Sequence, residues 1–252
     1  MNITIENLFN PKRFFNLCKL ELFNNRKIYL LKDIIIVAVF FNMTLFSNLM
    51  NSSQDPFDFF IINLFVGIII TSLTFGIIHN KESGITYLMI PCSMEEKFLV
   101  KFLFTTVLYF LSAIISIFIA SLISETVRMI FFKTVFNFFN PIERGIFNVL
   151  LTYIYFHSIF FFGSIIFKKN NFLMTVLSLA ILFFGFMIIM SILAVNVFSI
   201  VFTNLKNPFE ITNFFNTNSN IIFQIFKIIF LYLIPPVLYV LSYLKFKKIE
   251  LK

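Results

Sequence analysis

Tryptophan is absent from these 252 residues, cysteine occurs twice, glycine six times and proline seven times, and only 13% of positions are charged. Each scarcity excludes something. Two thiols, Cys18 and Cys92, with no second cysteine or histidine at ligand spacing, exclude a zinc module or a disulfide scaffold; both read as packing residues. The glycines, at Gly67, Gly76, Gly84, Gly145, Gly163 and Gly185, include no pair five residues apart. No G-x-x-x-x-G-K phosphate-binding loop is therefore present, and any ATP has to be hydrolysed on another chain.

What is abundant is apolar. Hydrophobic residues make up 59% of the chain, Phe alone accounts for 41 positions, and the mean hydropathy is +0.93. Such a chain belongs in a bilayer. At about 20 residues per helical span, the runs 34–50, 59–78, 98–123, 146–167, 172–202 and 221–244 read as six transmembrane helices in an all-α bundle. No segment remains for a soluble catalytic domain. Residues 1–27 lack the apolar core and cleavage site of a signal peptide, so the first span is expected to stay in the mature protein. Phe reads as the apolar filler of an AT-rich coding sequence.

Charge sets the expected orientation. Fifteen of the twenty Lys and Arg fall before the first span, including Lys32, between spans two and three, between four and five, or in the basic tail 245–252. The positive-inside rule then places both termini in the cytoplasm. The net charge of +8 thus reflects topology and contact with anionic lipid rather than nucleic-acid binding.

The most informative local pattern is the polar insert between spans two and three. Pro91 cannot continue a helix, Ser93 is a good N-cap, and Glu96 completes an S-x-x-E capping box, so a helix begins at Met94 and runs through Glu95, Glu96, Lys97 and Phe98 toward a span. Upstream, residues 11–27 place Phe14, Phe15, Cys18 and Leu22 on one side of a helical wheel, with Lys12, Arg13 and Asn16 opposite. That suits an interfacial elbow helix in the headgroup plane. In the third span Ser112, Ser116, Ala120 and Ser124 recur every four residues, a small-residue ridge for close helix packing. Pro235-Pro236 should kink or open the sixth helix. His157, mid-way along the fourth, is the best intramembrane polar residue, read chiefly as a neutral, hydrogen-bonded packing histidine. No acidic residue is expected in any span core, and no metal ligands cluster.

The stretches Phe9-Asn-Pro-Lys-Arg-Phe-Phe-Asn-Leu17, Asn25-Arg-Lys27, Tyr87-Leu-Met-Ile-Pro-Cys-Ser93 with Glu96-Lys-Phe98, and Tyr243-Leu-Lys-Phe-Lys-Lys-Ile-Glu250 resemble permease subunits of the type-2 ATP-binding-cassette exporter family. Ile90 and Cys92 stand where that family usually has leucine and alanine. The resemblance implies a bacterial cytoplasmic-membrane protein that pairs with a second permease copy or paralogue. It also implies a separate ATPase carrying ATP and Mg, contacted by the elbow helix (Arg13, Phe14, Phe15, Cys18, Leu22) and by a coupling helix at 93–98, with Glu95, Glu96 and Lys97 as contacts. This chain itself would bind no cofactor.

Two other classes stand as alternatives. An intramembrane protease is prompted by Glu95-Glu96, His79 and His157, but the EExxxR pattern needs arginine where Val100 stands. An autonomous channel or carrier would need charged rings or paired discontinuous helices, which the sequence does not display.

Overall fold

The computed structural model describes residues 9–49, 56–133, 146–204 and 228–250. Among them there is no strand, and the elements are helices: α1 (Pro11–Leu49), α2 (Pro56–Leu73), α3 (Gly76–His79), α4 (Lys81–Leu88), α5 (Met94–Leu103), α6 (Tyr109–Phe132), α7 (Ile146–Ile166), α8 (Asn171–Asn204) and α9 (Ile234–Glu250). Single π-helical turns, Phe104–Leu108 and Ile229–Leu233, lead into α6 and α9. The second lies just before Pro235 and Pro236, whose missing N–H groups free the carbonyls of that turn.

Five helical runs are long and apolar enough to cross a membrane: Ile61–His79, Met94–Phe131, Ile146–Ile166, Asn171–Ile192 and Ile229–Ile249. The chain has the architecture of a multi-pass membrane protein. The expected first span, 34–50, is not among the five. It falls in the second half of α1 and runs past Leu49, the last described residue of that helix. The start of the expected sixth span, 221–227, lies outside the described residues.

Three pairs set the relation of α1 to the long α5–α6 run. Arg13 meets Glu96, Glu21 meets Lys101 and Lys32 meets Ser112. Both numbers rise together at a nearly constant offset, so the helices lie side by side and parallel. Residues 11–27 are accordingly no separate elbow. With no Gly or Pro between Lys12 and Leu49, α1 does not break, and its inner stripe of Leu17, Glu21, Asn25, Tyr29, Lys32, Ile36 and Phe40 packs along α5 and α6. Phe15 and Leu22, assigned to the apolar face of an elbow, point outward at 69% and 55% exposure, while Leu17 is buried.

The other helices close the bundle around Tyr109. The core joins Phe40 of α1, Leu64 and Ile68 of α2, Ala113, Ile117 and Ala120 of α6, and Tyr153 and Phe160 of α7. Gly67 of α2 permits this: a Cβ there would overlap the Tyr109 ring. Tyr109 donates to the Asn63 carbonyls, and Asn63 donates to Ser116 at 3.0 Å, so a fully buried amide is satisfied between α2 and α6. Ser116, Ala120 and Ser124 are buried, whereas Ser112 is half-buried at the α1 contact. A second cluster, Phe75, Phe98, Phe161 and Phe246, stacks α5, α7 and α9. Here α9 runs antiparallel to α5, so its final turns reach the Glu95–Glu96 end, and the basic tail expected at 245–252 is helical as far as Glu250.

Candidate functional site at the Glu95–Glu96 end

The predicted capping box forms. Ser93 Oγ accepts from the Glu96 N–H, and Glu96 Oε2 accepts from the Ser93 N–H at 2.9 Å, which starts α5 after the Pro91 break. The helix does not stop after Phe98 as a short coupling helix would. It is the first turn of the continuous run into α6, because no breaker follows and Phe98, Val100 and Phe104 are buried.

Glu96 does more than cap its own helix. Its Oε1 accepts from the Asn10 N–H at 2.7 Å and lies 3.4 Å from the Arg13 guanidinium. Asn10 Oδ1 in turn accepts from the Lys12 N–H at 2.9 Å and so caps α1. One carboxylate, 0% exposed, therefore joins the starts of α1 and α5. Lys97, 1% exposed, turns the other way and donates to the Leu88 carbonyl at 2.9 Å, at the C-terminal turn of α4. A cation there also suits the negative end of that helix. Glu95, with 43% of its side chain exposed, accepts from Tyr243 and lies 3.9 Å from Lys247, both on α9.

These contacts correct the expected docking residues. Glu96, Lys97, Met94 and Phe98 are interior groups tying three helix ends together, so none of them is a surface contact. The exposed part of this loop is α4 and the turn after it: Glu82, Ile85, Thr86 and Met89, with Ile85 at 57% and Met89 at 77% exposure. Cys92 packs below them with Cys18, against Leu17, Val100 and Phe104. Burial, then the nearby Glu96 carboxylate, holds the Cys92 thiol above its ordinary pKa and keeps it protonated.

No protein-family model, curated protein or solved structure matches this chain. Its site is therefore read from its own geometry.

From Glu21 a line of polar groups crosses the bundle. Glu21 pairs with Lys101 at 2.5 Å, and Asn25 donates to Glu21 at 2.7 Å. The Lys101 carbonyl accepts from Thr105 at 2.8 Å, and Thr105 Oγ1 lies 2.9 Å from His157 Nε2. His157 Nδ1 lies 2.8 Å from Tyr239 Oη. Because the Thr105 proton is committed to the Lys101 carbonyl, Nε2 carries the imidazole proton and donates, leaving Nδ1 to accept from Tyr239. A neutral His157 is thus satisfied at both nitrogens by α9 and the π-turn. Tyr153 adds a bond to the Thr105 carbonyl at 2.6 Å. A pocket of about 260 Å³ opens beside this line at Glu21, Asn25 and Tyr29.

Sequence reasoning missed the Lys32–Asp33 pair. Lys32 was counted with the loop before the first span. It lies instead against α6, 7% exposed, donating to Ser112 at 2.9 Å, 4.4 Å from the Tyr109 ring centroid and 2.6 Å from Asp33. Ser112 is equidistant in sequence from Glu96 and Arg128, about 24 Å from either at 1.5 Å per residue. An ion pair therefore sits half-way along the α5–α6 run. The missed signal was the basic-acidic pair directly before the run that begins at Ile34.

Proposed function

We propose that this chain is the permease subunit of an ATP-driven exporter of the type-2 ATP-binding-cassette kind, without its own ATPase. A separate nucleotide-binding subunit would dock at the cytoplasmic end of the bundle. The observation that carries the reading is the joining of exposed α4 to the starts of α1 and α5 by buried Glu96 and Lys97. A push on Ile85 and Met89 would pass through the Lys97–Leu88 bond into α5 and through Glu96 into α1. α1 itself, and α5 through its continuation into α6, reach the middle of the bundle. Nucleotide-driven closure of the ATPase then biases the arrangement of the helices by a population shift rather than by chemistry on this chain.

Further support comes from the convergence of basic residues at this end. Arg13 lies with Glu96, Lys247 with Glu95 and Lys101 with Glu21, which fits a cytoplasmic face in contact with anionic lipid. On this reading both termini are cytoplasmic, α1 supplies the sixth span, and the membrane is a bacterial cytoplasmic membrane. A second permease, identical or paralogous, completes the transporter. The chain is a transport subunit rather than an enzyme, with ATP and Mg on the partner and no nucleic acid involved.

An autonomous carrier is the second reading, and the Lys32–Asp33 pair favours it. Charged groups at depth are costly in hydrocarbon and usually mark a transport path. Purification from native membranes in mild detergent, with mass spectrometry of co-purifying chains, separates the two. A stoichiometric ATPase subunit bearing a phosphate-binding loop is the expected result. An intact bundle with no such subunit overturns the exporter reading in favour of the carrier.

A further inference from the structure

Between α1 and α6 runs a lateral groove of about 610 Å³, within the usual range for sites that hold drug-sized ligands. Its walls are almost wholly aliphatic and aromatic, among them Ile34, Val37, Phe41, Ile115 and Ile119. The single charged residue in its lining is Asp33; Ser112 and Ser116 add hydroxyls. Lys32 is not in that lining. Its ammonium is turned inward to Ser112 and the Tyr109 ring. Asp33 keeps 32% of its side chain exposed, while its buried Oδ1 is paired with the Lys32 ammonium at 2.6 Å.

A carboxylate whose inner oxygen pairs with Lys32 at 2.6 Å and whose other side faces an apolar slot half-way along α6 has no donor among the described residues on that open side. A carboxylate oxygen left without a donor in an apolar slot is costly. A second cation arriving along the groove would relieve that cost. A neutral acyl chain would not, and an anion would meet like charge. We propose that the α1–α6 groove binds a single-chain amphiphile with a cationic head, the head pairing with Asp33 and the tail lying along Ile34, Ile115 and Ile119. As a statement of cargo class this rests on the exporter reading; as a binding site it does not.

The absence of tryptophan makes the test direct. Ile119→Trp places the sole indole in the groove, and Leu182→Trp places one on the exposed face of α8 as a control for partitioning into the micelle. Each purified protein in maltoside micelles is titrated with (11-bromoundecyl)trimethylammonium and with 11-bromoundecyl sulfate, whose bromines quench the indole. At Ile119→Trp the cationic probe is expected to half-quench at about fivefold lower concentration than the anionic one, relative to the Leu182→Trp control, a difference of about 1 kcal/mol. Asp33→Asn should abolish that preference and Asp33→Glu should retain it. Equal quenching by both heads, or a preference that survives Asp33→Asn, overturns the proposal; both are the outcomes expected if lipid chains or a second copy fill the groove. The exporter reading fails separately, through a pull-down without an ATPase, and that result leaves the head-group preference intact.

Discussion

Replacing Glu96 with alanine should loosen the whole Glu95–Glu96 end. The carboxylate is fully buried and accepts from the Asn10 N–H at 2.7 Å and the Ser93 N–H at 2.9 Å. Alanine leaves both donors without a partner, at about 1–3 kcal/mol each. The Arg13 contact adds less than about 1 kcal/mol, because 35% of that side chain is exposed and the pair is screened. The sum, about 4 kcal/mol, corresponds to a fall in Tm of about 8–16 °C for a domain of this size. Glutamine keeps one acceptor oxygen and should cost about half as much. Glu95→Ala, at an exposed position, should stay within about 1 kcal/mol. The assay is thermal unfolding in detergent, followed by size-exclusion chromatography. Thiol labelling gives a local readout, since Cys18 and Cys92 pack on the Leu17–Val100–Phe104 cluster that Glu96 holds shut. A Glu96→Ala protein that melts within about 2 °C of the parent, with both thiols labelled no faster, would refute the idea that this carboxylate joins α1 to α5.

His157→Phe strips partners from Thr105 and Tyr239; it should lower stability by about 1–3 kcal/mol while transport in the assembled complex persists, and complete loss of transport without loss of assembly would instead assign His157 a role in the path. Combining it with Tyr239→Phe should cost less than the sum of the two single changes, by about 1 kcal/mol in a double-mutant cycle; strict additivity would deny the bond. Gly67→Ala, which drives a methyl into the Tyr109 ring, should destabilise more than Gly76→Ala, where nothing lies within 4 Å, and equal melting of the two would contradict the close α2–α6 approach. Ala120→Leu should cost about 1–3 kcal/mol by overpacking a fully buried position, read as a lower melting temperature. Ile85→Arg with Met89→Arg on exposed α4 should abolish ATPase co-purification with the bundle still folded; retained co-purification would move the contact elsewhere.

Legibility followed distance along the chain. The Ser93–Glu96 capping box is a four-residue motif whose atoms are local, and it forms as read. What Glu96 does with its other oxygen depends on Asn10, and what Lys97 does depends on Leu88. Neither partner could be chosen from the sequence, so two interior groups looked like surface charges. The same holds for α1. Its polar residues suggested a helix lying flat on a membrane, but Glu21 and Lys32 have their partners on α5 and α6, and those pairs turn the stripe inward. His157 was legible as a buried polar residue by its apolar neighbours. Its partners were not, since Thr105 and Tyr239 come from two different helices. The small-residue periodicity of α6 placed Ser116, Ala120 and Ser124 correctly on one face, but not the Asn63 amide that Ser116 receives.

The two π-helical turns would give the bundle a place to twist. Each turn holds one residue more than an α-helix would, and at 3.6 residues per turn that residue corresponds to about 100° of rotation. Thr105 sits inside the first such turn, and Tyr239 lies beyond the second. The imidazole of His157 spans the two like a pin between two geared shafts. Were the Phe104–Leu108 turn to relax to α-helix, α6 would swivel against α5, carrying Ser112 away from Lys32 while Glu96 stayed fixed to α1. Such a swivel would change what lines the middle of the bundle while the Glu96 end stayed in place.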